Sequence, residues 1–183
     1  MKKNILLVGM PGTGKSTLGK LLSEKKGLQF VDVDAMIDAS ANMPPQEILD
    51  SLGDEGFCKL EASALDSIQG DGLVIATGGS AIYQKPAIAK LKLTSLVIHL
   101  RAASNILLER IKDFDQRAVV RAKNLSFAEL YAERMPLYQA VTDIDFDTDQ
   151  PGLTVETAVQ QLITLLDASA DFSWTAHCKK DNA

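Results

Sequence analysis

The sequence predicts an α/β fold in which helices cover both faces of a mostly parallel β-sheet. Short apolar segments recur along the chain, at residues 5–8, 28–33, 73–76, 96–100 and 144–147. Continuous apolar strands separated by helical stretches are typical of parallel sheets buried on both faces. The chain has 183 residues and no compositional break, so we expect one domain over residues 1–167.

Helical segments are predicted between these strands. The first covers residues 16–25 and ends at Gly27, because glycine readily adopts the left-handed conformation that ends a helix. The others are predicted at residues 45–52, 55–68, 85–91, 103–111, 126–141 and 155–168. Residues 112–124 are charged and weakly periodic, which suits a mobile lid or an ordinary surface loop. Residues 168–183 lack sustained periodicity and are expected to fray.

Composition excludes several classes of function. The formal net charge is −5 and the basic residues are dispersed, whereas nucleic acids and anionic membranes require clustered Lys and Arg. No apolar run approaches the ~20 residues that span a bilayer. Cys58 and Cys178 are far apart and lack metal-ligand spacing, so free thiols are expected. We expect a cytoplasmic monomer that binds neither nucleic acid nor membrane.

A phosphate-binding loop follows the first predicted strand. Residues 9–16 read GMPGTGKS and satisfy the pattern G-x-x-x-x-G-K-[ST]. Glycines in such a loop let backbone N–H groups converge on phosphate oxygens at the start of the next helix. Lys15 is predicted to reach the β- and γ-phosphates, and the Ser16 hydroxyl to ligate Mg²⁺. The predicted nucleotide-binding residues are Gly9, Met10, Pro11, Gly12, Thr13, Gly14, Lys15, Ser16 and Thr17.

Two aspartates close the second apolar segment. Strand alternation would direct the carboxylates of Asp32 and Asp34 to the same side, beside the phosphate-binding loop. One could then support hydrated Mg²⁺ while the other orients an attacking hydroxyl or accepts its proton. A strand-end turn or a helix cap would also explain aspartate here.

A glycine pair follows the third apolar segment. Gly78 and Gly79 are predicted at the edge of the sheet where α/β proteins bind ligands. Without side chains, they would let a ligand approach the backbone closely. A plain turn could also contain two glycines, so this motif is weak when it is taken alone.

Three arginines, Arg110, Arg117 and Arg134, complete the candidate set. Guanidinium groups bind phosphates and carboxylates in bidentate geometry and stabilise a phosphoryl group during its transfer. A single arginine is more often a solvated helix residue. The combination of arginines, aspartates and phosphate-binding loop is what indicates a kinase.

With these residues in this order, the chain resembles the shikimate kinases, which are small P-loop kinases. The matching positions are residues 9–17, Asp32, Asp34, Gly53, Glu55, Phe57, Glu61, 77–79, Arg117 and 133–138. The resemblance covers most of residues 3–165. It implies a three-layer P-loop kinase with five parallel strands in the order 2-3-1-4-5 and a mobile lid. It also implies transfer of the γ-phosphoryl group of ATP to a hydroxyl of shikimate.

The resemblance also implies roles on the acceptor side. Asp34 and Arg134 would contact the acceptor, and Gly78 and Gly79 would lie against it. The catalytic set would then be Lys15, Asp34 and Arg117.

On the donor side, the resemblance implies that Arg117, in the lid, lies near the phosphates. Arg110 would lie beside adenine, and Pro151 would belong to the adenine-side loop. Asp32 would assist Ser16 at the Mg²⁺ site.

The chain departs from the family pattern on the acceptor side and in the lid. Cys58 replaces an arginine that helps to bind the shikimate carboxylate, and the adjacent Lys59 would point about 100° away on a helix. Ser80 replaces a third glycine and brings bulk or a hydroxyl to the acceptor site. Ala118 replaces a proline in the lid, where Arg121 could partly restore the lost charge.

These departures leave alternatives open. A kinase of another small hydroxylated acid or polyol would keep the donor chemistry and change the acceptor. A nucleotide-binding protein without catalysis is disfavoured by the intact Lys15, Ser16, Asp32 and Asp34. A nucleic-acid-dependent P-loop ATPase is disfavoured by the size and acidity of the chain.

Overall fold

A computed structural model describes residues 1–43, 45–111 and 125–174, with the backbone alone for residues 45 and 46. The candidate lid at 112–124, with Arg117, Ala118 and Arg121, lies outside the described residues. The same holds for residues 175–183, which include Cys178.

A parallel sheet forms the centre of the structure. Its strands are β1 (Asn4–Val8), β2 (Gln29–Asp32), β3 (Leu73–Ala76), β4 (Ser95–Arg101) and β5 (Ile144–Asp147). In the described part of the chain these make one five-stranded sheet in the order β2-β3-β1-β4-β5. In the middle of the sheet, Leu6 of β1 pairs with Ile75 on one side and Val97 on the other. The predicted fold class and strand order are therefore confirmed.

Helices connect the strands. They are α1 (Lys15–Lys26), α2 (Val33–Ala41), α3 (Pro45–Ser67), α4 (Lys85–Thr94), α5 (Ser104–Arg110), α6 (Phe127–Val141) and α7 (Val155–Asp167). Gly27 ends α1 in the left-handed conformation, as predicted. Gly53 has φ 65° and ψ −178° and interrupts α3, which explains why the sequence pattern indicated two helices there.

The alternation of side chains along β1 builds a core on each face of the sheet. Ile5 and Leu7 pack with residues of α1 and α7, whereas Leu6 and Val8 pack with residues of α2, α3, α4 and α6. All four side chains are at most 1% exposed. Because both faces of this strand are buried, its sequence does not alternate between apolar and polar residues but forms a continuous apolar run.

The prediction that the second strand extends through residue 33 is wrong. The strand ends at Asp32, and Val33 begins α2. The Oδ1 atom of Asp32 accepts hydrogen bonds from the backbone N–H groups of Asp34, at 3.1 Å, and Ala35, at 3.4 Å. A short carboxylate at this position satisfies free N–H groups in the first helical turn and favours a helix over a longer strand.

The end of the described chain packs against its beginning. Phe172 is 5% exposed and forms a parallel bridge with Lys2. The indole N–H of Trp174 donates a hydrogen bond to Asp167, and the Lys26 ammonium lies 4.1 Å from the centre of a Trp174 ring. The expected fraying from residue 168 therefore does not hold for residues 172–174, because these contacts bury an aromatic side chain. Among the described residues, no helix is long and apolar enough to cross a membrane.

Candidate active site

The phosphate-binding loop joins β1 to α1 through backbone conformations that require glycine. Gly9 has φ 145°, and a Cβ there would lie 2.2 Å from the carbonyl oxygen of Leu100. Gly14 has φ 88° and immediately precedes α1. The loop thus turns sharply and leads into the N-terminus of α1, where the helix dipole favours an anion.

Lys15 is held in this loop by its own backbone. Its ammonium donates hydrogen bonds to the carbonyl oxygens of Gly9, at 2.8 Å, and Met10, at 2.9 Å, and the residue is 8% exposed. Burial lowers the pKa of Lys15 to about 8, although the charge of Asp34 acts in the opposite direction. At neutral pH most molecules therefore carry a cation at this position, facing the neighbouring cavity.

One cavity of about 540 Å³ joins the phosphate-binding loop to the predicted acceptor residues. Gly12, Lys15 and Ser16 lie at its loop end, and Asp34 and Arg134 also line it. Its volume is in the range of pockets that hold small molecules. Of the predicted site residues, the structure brings Pro11, Gly12, Gly14, Lys15, Ser16, Thr17, Asp34, Gly78, Gly79, Arg110 and Arg134 to this cavity. Gly9 and Met10 accept hydrogen bonds from other residues of the loop through their carbonyl oxygens, and Thr13 lines a second, neighbouring cavity.

Asp34 lies in the first turn of α2 rather than on a strand, and it is accessible from the cavity. Surrounding protein atoms desolvate its carboxylate and raise its pKa, while the charge of Lys15 acts against that rise. Gly78 leaves room for this side chain, because a Cβ there would lie 2.6 Å from Oδ1 of Asp34 and 2.8 Å from Oε1 of Glu61. Because it has no side chain, Gly78 fits between the carboxylates of Asp34 and Glu61. Any larger residue here would require one of these carboxylates to move.

Gly79 is held between the phosphate-binding loop and α6. A Cβ at this position would lie 2.9 Å from Cδ of Pro11 and 3.0 Å from Nη1 of Arg134. The hydroxyl of Tyr138 donates a hydrogen bond of 2.7 Å to the carbonyl oxygen of Gly79. These contacts fix the position of the glycine pair relative to the loop.

Arg134 is fully buried in α6. Its Nε–H donates a hydrogen bond of 3.2 Å to the hydroxyl of Tyr83, and its guanidinium carbon lies 5.2 Å from the centre of the Tyr83 ring. The Tyr83 hydroxyl in turn donates to Glu133 at 2.6 Å. Arg134 therefore brings a positive charge to the cavity in an orientation fixed by neighbouring side chains.

Sequence reasoning assigned no role to Glu61, which lies next to the cavity. The residue is fully buried, and its Oε1 accepts a hydrogen bond of 2.8 Å from the Ser80 hydroxyl. Burial raises the pKa of Glu61 to about 7, and the Ser80 hydrogen bond opposes that rise. The hydroxyl that Ser80 brings to the acceptor side is thus directed to Glu61. The signal was available, because Phe57, Glu61 and Leu65 are spaced four residues apart and face the core together.

Arg110 lines the same cavity as Arg134. It donates hydrogen bonds to the carbonyl oxygen of Thr148, at 2.8 Å, and to its hydroxyl, at 3.2 Å. Arg110 also lines a second cavity of about 230 Å³, together with Gly12 and Leu153. Pro151 is exposed in the same loop as Leu153 and does not line this cavity.

The two residues expected at a Mg²⁺ site have different surroundings. Ser16 is exposed and lines the cavity, whereas Asp32 caps α2 and does not line it. Within residues 1–43, 45–111 and 125–174, no group of three or more His, Cys, Asp or Glu side chains could hold a metal ion. Any Mg²⁺ here would therefore take most of its ligands from phosphates and water.

Cys58, which replaces the arginine of the family pattern, has a half-buried thiol. Burial, followed by the charge of Glu61, raises the pKa of Cys58. Lys59 does not replace the guanidinium, because its ammonium pairs with Glu55 at 2.7 Å on the surface, where both side chains are at least 75% exposed. This outcome agrees with the expected direction of Lys59.

A phosphate-binding loop between a central parallel strand and a helix, with acidic and basic residues across one cavity, defines a small P-loop kinase. The chain belongs to the shikimate kinase family, whose family model matches residues 11–167. It is 36% identical to a shikimate kinase of Thermodesulfovibrio yellowstonii over 164 residues, which is 88% of this chain and 93% of that protein. It is 35% identical to a shikimate kinase of Geobacter sulfurreducens over 165 residues, covering 90% and 91% of the two chains.

Solved structures show the same relationship. The shikimate kinase of Acinetobacter baumannii, solved in complex with shikimate, superimposes with a TM-score of 0.81 at 30% identity. The match covers 90% of this chain and 93% of that one. A sugar kinase from Janibacter shares the fold, with a TM-score of 0.60 at 18% identity.

Proposed function

We propose that this protein is an ATP-dependent kinase that transfers the γ-phosphoryl group to a hydroxyl of shikimate. The observation that carries this proposal is one shared cavity of about 540 Å³, which is lined by Lys15, Ser16, Asp34 and Arg134. A nucleoside triphosphate bound to the loop and an acceptor bound beside Asp34 would lie next to each other in one pocket. Such positioning is the main contribution that a protein makes to phosphoryl transfer.

In the proposed reaction the acceptor oxygen attacks the γ-phosphorus. The bond between that phosphorus and the oxygen bridging to the β-phosphate breaks, and ADP leaves with the bonding electrons. The acceptor proton passes to the Asp34 carboxylate, whose raised pKa suits it to receive a proton. Lys15 stabilises the charge on the β- and γ-phosphates, and we assign Arg117, which lies outside the described residues, to the same charge.

We assign a Mg²⁺ ion to the Ser16 hydroxyl, to the phosphates and to water, with Asp32, which does not line the cavity, supporting the hydrated ion. The Ser16 hydroxyl and a carboxylate oxygen of Asp32 are the hard oxygen donors that Mg²⁺ prefers, and the helix cap uses only Oδ1 of Asp32. When bound, Mg²⁺ would offset negative charge on the phosphates. We propose that the N-cap hydrogen bonds of Asp32 also fix Asp34 in the first turn of α2.

On the acceptor side we assign Arg134 to the negative charge of the substrate and Gly78 and Gly79 to close backbone approach. Because Cys58 supplies no cation, Arg134 carries more of the carboxylate recognition than in a site with a second guanidinium. On the nucleotide side we assign Arg110 and the loop of Pro151 to the adenine end.

A coupled assay of ADP release tests the proposal. The purified protein is given Mg-ATP with shikimate, with other hydroxy acids, with sugars and with nucleoside monophosphates. We expect shikimate to release ADP fastest, and Lys15→Ala to abolish that release. Faster release with another acceptor would favour the alternative kinase, and ATP binding without release would favour a non-catalytic protein.

A further inference from the structure

Asp38 is a second carboxylate on the cavity wall, and neither the motifs nor the proposed chemistry uses it. It lies on α2 four residues after Asp34, so both side chains occupy the same face of the helix, about 5–6 Å apart at Cβ. Both line the cavity of about 540 Å³ that also contains Lys15 and Ser16. Asp38 is thus the next carboxylate along α2 from the one assigned to the reacting hydroxyl.

One oxygen of the Asp38 carboxylate has no hydrogen-bond donor in the described part of the chain. Its Oδ1 is buried and has no hydrogen-bond partner among the residues that the structure describes. Burial raises the pKa of Asp38, and the charge of Asp32 adds to that rise. A buried acceptor oxygen without a donor is uncommon in folded proteins, since its desolvation is then uncompensated. Because Asp38 lines the cavity, an O–H group of a ligand there could donate a hydrogen bond to its carboxylate.

Part of the cavity lining is apolar. Ile37 and Phe57 line the same cavity as Asp38, and these side chains are 1% and 6% exposed. An acceptor that suits this wall has an apolar ring face and hydroxyls on its edge, so that the ring contacts Ile37 and Phe57 while the edge faces the carboxylates. A polyhydroxylated carbocycle has this distribution, in which neighbouring hydroxyls point to different carboxylates.

We propose that Asp38 accepts a hydrogen bond from a hydroxyl of the acceptor that is not phosphorylated, and so determines specificity for polyhydroxylated rings. Asp34 orients the reacting hydroxyl, and Asp38 holds another one away from the phosphates. This inference rests on the proposed function, because it assumes that shikimate, which carries three ring hydroxyls, is the acceptor.

The test compares steady-state kinetics of the wild-type protein, Asp38→Ala and Asp38→Asn. We expect Asp38→Ala to raise the KM for shikimate about tenfold or more, because a charge-assisted hydrogen bond is lost. The kcat and the KM for ATP should change by less than about twofold. Asp38→Asn should lie between the two proteins, because its amide oxygen still accepts a hydrogen bond. The control is Asp66→Ala, which removes an exposed carboxylate paired with Lys90 outside the cavity.

Two analogues of shikimate, each lacking one of the hydroxyls that are not phosphorylated, give the specific readout. One analogue should bind equally well to the wild-type protein and to Asp38→Ala, since the partner of Asp38 is absent from it. An unchanged KM for shikimate in Asp38→Ala would overturn the inference. A fall in kcat and in thermal stability together would also overturn it, because it would indicate a structural role.

Calorimetric binding of shikimate separates this inference from the proposed function. Shikimate that binds the wild-type protein without turnover, and binds Asp38→Ala about tenfold more weakly, would keep the role of Asp38 and refute the kinase assignment. Turnover of shikimate with no effect of Asp38→Ala would keep the kinase assignment and refute the role of Asp38. Neither turnover nor binding of shikimate would refute both.

Discussion

The substitution Gly78→Ala tests how closely Asp34 is positioned. A Cβ at residue 78 would lie 2.6 Å from Oδ1 of Asp34, whereas ordinary contacts begin at about 3.4 Å, so the carboxylate must move by about 0.8 Å. The backbone of Gly78 does not have positive φ, so alanine adds a contact without straining the chain. A misplacement of about 1 Å at a reacting group can reduce the rate about 10²-fold. We expect kcat with shikimate to fall about 30- to 100-fold.

The assay is steady-state ADP release at saturating Mg-ATP, with thermal unfolding as a check on folding. The KM for ATP should change little, because the loop that holds Lys15 is untouched. The double variant Gly78→Ala with Asp34→Asn is the decisive control, since two changes that act on one interaction are not additive. Additive losses, or a kcat close to that of the wild type in Gly78→Ala, would refute the assignment of Asp34.

Three further predictions concern single side chains. Lys15→Ala should lower kcat by about 10²-fold or more and leave the melting temperature nearly unchanged, because the side chain bonds only its own loop; a folded variant with normal turnover would contradict this. Cys58→Arg should lower the KM for shikimate about tenfold by adding a charge-assisted contact, and a higher KM would show that the carboxylate binds elsewhere. The pKa of Glu61 is raised from the ordinary value of 4.5 to about 7 in the folded protein, so the folded state binds this proton more tightly than the unfolded state does. The stability of the folded protein therefore falls as the pH rises from 4.5 to about 7. Glu61→Gln should therefore raise the melting temperature more at pH 8 than at pH 5, and an equal change at both would contradict the buried state of this carboxyl.

The sheet and the phosphate-binding loop could be predicted because their signals are local. A strand such as β1 needs apolar side chains on both faces, and Gly9 and Gly14 need backbone conformations that other residues avoid. Both requirements are visible in a few consecutive residues.

The acceptor side was harder to predict because its contacts join distant segments. Asp32 was expected to point in the same direction as Asp34 on a strand, but its carboxylate begins a helix instead. A short apolar run does not show where a strand ends and a helix begins. The hydrogen bond from Ser80 to Glu61 joins residues 19 positions apart, and nothing in either local sequence shows the other partner.

We propose that the phosphoryl group passes from ATP to a hydroxyl of shikimate within one pocket. The most direct measurement is product analysis by mass spectrometry and ³¹P NMR after the protein is incubated with shikimate and Mg-ATP. We predict one product, a shikimate monophosphate ester, formed in equal amount to ADP and absent with Lys15→Ala. Inorganic phosphate in place of the ester, or ADP formation that does not depend on shikimate, would contradict the proposed transfer.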